Sequence, residues 1–81
     1  MKIYDYYGKK NISGDRIREA RLKKRLTQAD LAAKIQVEGV IMERDSISRI
    51  EKGTRFIPDY EIPVFARVLE ASPLWLLGIE E

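Results

Sequence analysis

The fold is decided by the stretch TQADLAAKIQVEGVIMERDSISRIEKG, residues 27–53. Thr27 is a good N-cap residue, and Asp30 follows three positions later, which is the spacing of a capping box at a helix start. Apolar residues then recur at helical spacing, so we expect a helix over about 28–36. At the far end of the stretch, Gly53 is the kind of residue that terminates a helix.

A second helix is expected directly before Gly53, over about 44–52. Ile47 and Ile50 are three residues apart, so both face one side of this helix. The opposite side carries polar and charged residues: Arg44, Asp45, Ser48, Arg49 and Lys52. Side chains of these types form hydrogen bonds with base edges and with phosphates, so this face is a candidate nucleic-acid surface.

Working outward, the flanking sequence predicts three more helices. Ser13 as N-cap and an acidic first turn predict a helix over about 14–25 that is strongly basic. A markedly apolar pattern predicts a helix over about 59–71, in which Pro63 is tolerated because it falls in or just after the first turn. Ser72 caps a short last helix, about 73–78.

These five helices, with no strand pattern, predict an all-α domain over residues 13–78, preceded by an N-terminal arm (1–12) and followed by a C-terminal tail (79–81). The expected core residues are Ala29, Leu31, Ala32, Ile35, Ile47, Ile50, Phe65, Val68 and Leu69. In the link before the helix expected at 44–52, residues 40–42 either pack back onto the core or extend a helix. Trp75 either closes the core or lies on a dimer surface.

Composition excludes several classes of protein. The 81 residues include no cysteine and no histidine, so disulfides, cysteine-based zinc sites and the commonest general base are absent. We therefore expect no enzyme activity, no metal, no cofactor and no small-molecule ligand. No apolar run approaches the length of about 18 residues typical of a membrane span, and no secretory signal is evident, so a cytoplasmic location is expected.

Positive charge is concentrated in one part of the chain. Residues 1–57 hold 14 Lys/Arg and 8 Asp/Glu, a net charge of +6, whereas residues 58–81 hold 1 Lys/Arg and 5 Asp/Glu, a net charge of −4. This asymmetry indicates a polyanion-binding surface on the first part, although a solvated basic face would give the same count.

Four motifs make the sequence recognisable: LTQADLA at 26–32, SISRIEKG at 46–53, PDYE at 58–61 and LWLLG at 74–78. Together they resemble the phage repressor and Cro-like helix-turn-helix family, often called XRE-type, over about residues 14–78. The resemblance implies a compact lambda-repressor-like bundle of five helices. It also implies a transcriptional regulator that binds double-stranded operator DNA, as a homodimer on a roughly palindromic site. The alternative function is a protein-interaction module, such as an antirepressor or an adaptor.

The resemblance also assigns roles to individual residues. The positions that match base contacts are Arg44, Asp45, Ser48 and Arg49. The alternative for Asp45 is that it caps the helix or orients an arginine. The positions that match phosphate contacts are Gln28, Ser46, Lys52, Thr54 and Arg55. Arg21 and Glu51 match a partly buried ion pair that links the first helix to the end of the third, the alternative being that Arg21 is a plain solvated charge.

The chain departs from the family pattern in the link from Gln36 to Glu43. This link is about five residues longer than the usual turn of a helix-turn-helix. The extra length affects the angle between the two helices and the starting residue of the recognition helix, but not the composition of that helix.

Overall fold

The computed structural model describes residues 6–81, and in them the chain forms five helices: α1 (Gly14–Lys23), α2 (Gln28–Val37), α3 (Arg44–Lys52), α4 (Glu61–Leu69) and α5 (Pro73–Leu76). The predicted all-α bundle is confirmed. Residues 1–5 of the predicted arm lie outside the described residues. The longest helix has 10 residues, and none in the described part is long and apolar enough to cross a bilayer.

The α2–α3 unit has the boundaries that the sequence predicts to within one residue. The Thr27 hydroxyl accepts a hydrogen bond from the Asp30 N–H at 3.0 Å, and the Asp30 carboxylate accepts one from the Thr27 N–H at 3.0 Å. The bond from the Thr27 N–H lowers the pKa of Asp30. Gly53, at φ 83°, ends α3 in the left-handed conformation. Both end signals of this unit are therefore confirmed.

The predicted ends of α1 and α4 are wrong by two residues. Arg25 (φ 58°) and Glu70 (φ 54°) adopt the left-handed conformation although neither is glycine. After α1, the Leu26 N–H donates to the Arg21 carbonyl at 3.1 Å, a bond that satisfies a terminal carbonyl and turns the chain away from the helix. Both helices therefore end before the last residue of the apolar pattern from which they were predicted.

The remaining helix ends also differ from the expectation. Before α4, the Glu61 N–H donates to the Pro58 carbonyl at 3.0 Å, a turn of three residues, so the helix begins at Glu61 and not near residue 59. The Ser72 hydroxyl caps α5 as predicted. α5 ends at Leu76, two residues early, because Gly78 takes a positive φ of 75°.

The core lies where the five helices meet. Its largest fully buried apolar residues are Phe65, Ile17, Leu31, Ile35, Met42, Ile47, Ile50 and Leu76. Two core predictions need correction. Ala29 is exposed, because it lies on the opposite side of α2 from Leu31 and Ile35, and Val68 packs against the core while only partly buried. Trp75 is also partly buried against the core.

Replacing Arg25 with glycine is expected to stabilise the protein. Arg25 is exposed at φ 58°, and a residue with a Cβ pays about 1–2 kcal/mol in this conformation. Glycine removes this strain but loses more backbone entropy on folding, which offsets part of the benefit. We therefore expect the free energy of unfolding, measured by urea denaturation, to rise by about 0.5–1 kcal/mol. The matched control is Lys23→Gly within α1, which should lose about 1 kcal/mol; equal effects for the two variants would contradict the strain at Arg25.

Candidate nucleic-acid interface

Helix α3 has one buried and one exposed face. Ile47 and Ile50 are fully buried and Glu51 is 7% exposed, which places these three residues against the rest of the bundle. Ser46 and Ser48 are half-buried at the edges of this face. The exposed side carries Arg44, Asp45, Arg49 and Lys52. The structure thus brings three of the predicted base-reading residues, Arg44, Asp45 and Arg49, together on one exposed helix surface, whereas Ser48 is half-buried and not exposed as predicted.

The two arginines on this surface keep most of their hydrogen-bonding capacity. Arg44 Nη2 lies 3.6 Å from Asp45 Oδ1, and Arg49 Nε donates to the Asp45 carbonyl at 3.4 Å. A guanidinium has five N–H donors, so each side chain retains donors for a ligand. The Asp45 carboxylate lies beside Arg44 and partly offsets its positive charge.

Glu51 joins three helices beneath this surface. Its carboxylate accepts two hydrogen bonds from Arg21 of α1, Nε to Oε2 at 2.7 Å and Nη2 to Oε1 at 2.9 Å. Arg21 Nη1 also donates to the Leu26 carbonyl at 2.8 Å. The bond to Glu51 raises the pKa of Arg21. Because both side chains are less than 10% exposed, the pair fixes the orientation of α3 relative to α1.

Gln28, the first residue of α2, also contacts Glu51. Its Nε2 donates to Glu51 Oε1 at 3.1 Å, and the side chain is half-buried. The sequence resemblance implies a phosphate contact for Gln28 instead. An amide group has two N–H donors, so one remains for such a contact while the other fixes the side chain.

The end of α3 and the loop after it contain both exposed residues and a residue already engaged in hydrogen bonds. Lys52 and Thr54 are exposed. Arg55 is half-buried, since its Nη1 donates to Glu61 Oε1 at 3.2 Å and to the Phe56 carbonyl at 3.1 Å. Glu61 is only 3% exposed, so Arg55 has the structural task of balancing a buried carboxylate. Its predicted phosphate contact would use its remaining donors.

Asn11 connects this loop to the start of α1, and the sequence reasoning did not single it out. Its Nδ2 donates to the carbonyls of Ile50 at 3.0 Å and of Arg55 at 2.9 Å, and its Oδ1 accepts from the Gly14 N–H at 2.8 Å. The Lys10 N–H adds a bond to the Gly53 carbonyl at 2.8 Å. Asn11, and not the predicted Ser13, therefore caps α1 with its side chain. The one available signal was an asparagine three residues before a helical glycine.

The extra residues of the α2–α3 link are absorbed in residues 38–43, so α3 starts at Arg44 as predicted. Met42 is fully buried and anchors the link in the core. Its carbonyl accepts a hydrogen bond from the Gln36 amide. Glu38 pairs with Arg67 of α4 at 2.7 Å. Val40 and Met42 therefore pack back onto the bundle, Ile41 is exposed, and the link does not extend a helix.

Two packed helices, of which α2 rests on α4 and α3 rests on α1, with a polar outer face on α3, define a helix-turn-helix protein. The sequence profile of the family described as "Helix-turn-helix domain" matches residues 14–74, and the chain belongs to this family. No curated protein sequence shows a significant match.

Two solved structures are similar to this chain. One is the P22 c2 repressor protein in complex with synthetic operator 9T in the presence of Tl⁺, at 24% identity and a TM-score of 0.72, covering 86% of this chain and 98% of that one. The other is the restriction-modification controller protein C.AhdI from Aeromonas hydrophila, at 30% identity and a TM-score of 0.67, covering 78% and 84%. The resemblance to phage repressor and Cro-like proteins is thereby confirmed.

Proposed function

We propose that this protein is a sequence-specific DNA-binding transcription regulator that places α3 in the major groove of operator DNA. The observation that carries the proposal is the exposed polar face of α3, held on a rigid base by the Arg21–Glu51 pair. An α-helix fits the major groove, where each base pair presents a distinct pattern of donors and acceptors. The similarity to a repressor and to a controller protein supports this function.

In this proposal Arg44 and Arg49 read base edges. An arginine pairs bidentately with O6 and N7 of guanine, a contact that contributes about 1–3 kcal/mol of discrimination. Asp45 accepts a hydrogen bond from a cytosine amine or orients the two arginines. Ser48, half-buried at the edge of the exposed face, contributes a hydroxyl to the same groove.

Phosphate contacts supply the affinity. Lys52, the last residue of α3, and Thr54, in the loop after it, are exposed. Ser46, Gln28 and the remaining donors of Arg55 are the other candidates for these contacts. The N-terminal end of α2 adds oriented N–H groups that favour an anion. We further propose that the protein binds as a homodimer, because a two-fold symmetric pair engages two half-sites and doubles these contacts.

Removing either arginine is expected to reduce sequence discrimination more than general DNA affinity. Arg44→Ala and Arg49→Ala should each weaken binding to a selected duplex by about 1–3 kcal/mol relative to a scrambled duplex, in band shifts at fixed salt. The matched control is Arg18→Ala, which removes the same charge from the exposed surface of α1. It should weaken both duplexes equally.

Two results would overturn the assignment. If both α3 variants bind the selected and the scrambled duplex as the parent protein does, α3 does not read bases. If the parent protein binds no duplex at low salt, where phosphate contacts are strongest, the protein is not a DNA-binding regulator and a protein-interaction module becomes the better explanation.

A further inference from the structure

The α2–α3 link exposes a large aliphatic side chain next to the recognition helix. Ile41 is 90% exposed, and Val37, the last residue of α2, is 84% exposed. Such exposure leaves most of their apolar area in water, so these side chains contribute little to the stability of the fold. They lie on the part of the chain that is longer than the usual turn of a helix-turn-helix.

Ile41 is held in place and does not sit on a loose loop. The next residue, Met42, is only 1% exposed and is fixed in the core. Glu43 has extended backbone angles, φ −118° and ψ 163°, and neighbouring side chains along extended backbone point in opposite directions. Met42 is buried, whereas its neighbours Ile41 and Glu43 are exposed, so both neighbours point outward just before the start of α3.

The surroundings of Ile41 restrict what it contacts. Residues 35–43 contain no lysine or arginine, so the link offers nothing to hold a phosphate. Two aliphatic side chains fall far below the area of about 800 Å² per partner that a specific protein interface buries. Ile41 is also only three residues before Arg44, a distance of at most about 10–11 Å along the chain. Ile41 therefore lies within a few base-pair steps of the position proposed for Arg44.

We propose that Ile41 contacts the C5-methyl group of a thymine beside the base pair that Arg44 reads, and so sets part of the operator sequence. This inference rests on the proposed function and deepens it. The thymine methyl is the one apolar group that a base pair presents in the major groove, and it is recognised by apolar side chains.

The test removes one methyl group at a time from the DNA and one side chain from the protein. Each thymine of a selected site is replaced by uracil, which lacks only the methyl group, and binding is measured for the parent protein and for Ile41→Ala. We expect one position, or its symmetric pair, at which uracil weakens the parent about fourfold per methyl, the loss expected for one buried methylene-sized group. The same replacement of thymine by uracil should leave the affinity of the Ile41→Ala variant unchanged.

A control variant separates this contact from a general loss of exposed aliphatic surface. Ile79→Ala truncates an isoleucine that is 70% exposed after α5, and it should show the full uracil penalty of the parent. If no thymine shows a penalty, or if Ile41→Ala retains the penalty at every position, the inference is wrong while sequence-specific binding stands. Failure of the parent protein to bind any selected duplex would instead remove the proposed function itself.

Discussion

Replacing Glu51 with alanine is expected to cost about 3–5 kcal/mol of stability, because it leaves the buried Arg21 guanidinium without its carboxylate. Arg21 is 8% exposed and Glu51 7%, so water cannot solvate the remaining charge well. A chain of 81 residues has a total free energy of unfolding of about 4–12 kcal/mol. The variant should therefore show a greatly lowered urea midpoint, with a substantial unfolded fraction at 37 °C.

Two comparisons identify the cause of that loss. Asp45→Ala removes an exposed carboxylate from the same helix and should cost less than about 1 kcal/mol. The double variant Arg21→Met, Glu51→Leu removes both charges and should recover much of the loss, since apolar residues of similar size often replace a buried ion pair without destabilisation. A cost below 1 kcal/mol for Glu51→Ala would show that the pair does not hold α3 in place.

Replacing Gly14 with alanine is expected to cost about 1–3 kcal/mol even though alanine favours a helix. A Cβ at this position would lie 2.2 Å from the Ile50 carbonyl oxygen and 3.0 Å from Asn11 Oδ1. The first of these atoms belongs to the backbone of α3, so relief requires α1 and α3 to move apart. This separation would also lengthen the bonds that Asn11 makes to the loop after α3.

The measurement is urea denaturation of Gly14→Ala beside Glu19→Ala, which introduces the same residue at an exposed position of α1. Glu19→Ala should change stability by no more than about 0.5 kcal/mol. Equal stability of the two variants would mean that α1 and α3 do not approach as closely as the Gly14–Ile50 contact requires.

The sequence predicted the C-terminal end and the buried face of α3 because the signals for both are local. Ile47 and Ile50 establish the buried face, and Gly53 supplies the only backbone conformation that ends the helix there without strain. The exposed face then follows from helical geometry alone. For the same reason the capping box of Thr27 and Asp30 was visible before the structure.

The ends of α1 and α4 were not predictable because non-glycine residues occupy the left-handed positions. Nothing in the side chains of Arg25 or Glu70 signals this conformation. The apolar pattern continues past both helix ends, since Leu26 and Ala71 pack against the core from the turns that follow. Periodicity reports burial, and here burial extends further than the helix.

The roles of Asn11 and Arg55 depend on contacts between residues distant in sequence. Asn11 bonds to carbonyls 39 and 44 positions away, and the bundle alone brings these groups together. The sequence around Arg55 resembles a loop with an exposed cation, but in the fold this side chain pairs with the buried Glu61. Single-sequence patterns report neither kind of contact, so the candidate site was predicted on α3 and only partly in the loop that follows.

Selection of binding sites from a pool of random duplexes tests the central claim most directly. We expect enrichment of a two-fold symmetric site whose half-sites lie about 10–10.5 base pairs apart, with guanines opposite the positions of Arg44 and Arg49. The Arg49→Ala protein should lose the enrichment at one base pair of each half-site. Recovery of no sequence in excess of the starting pool, from a protein that is folded and retained on DNA, would contradict the claim that α3 reads bases.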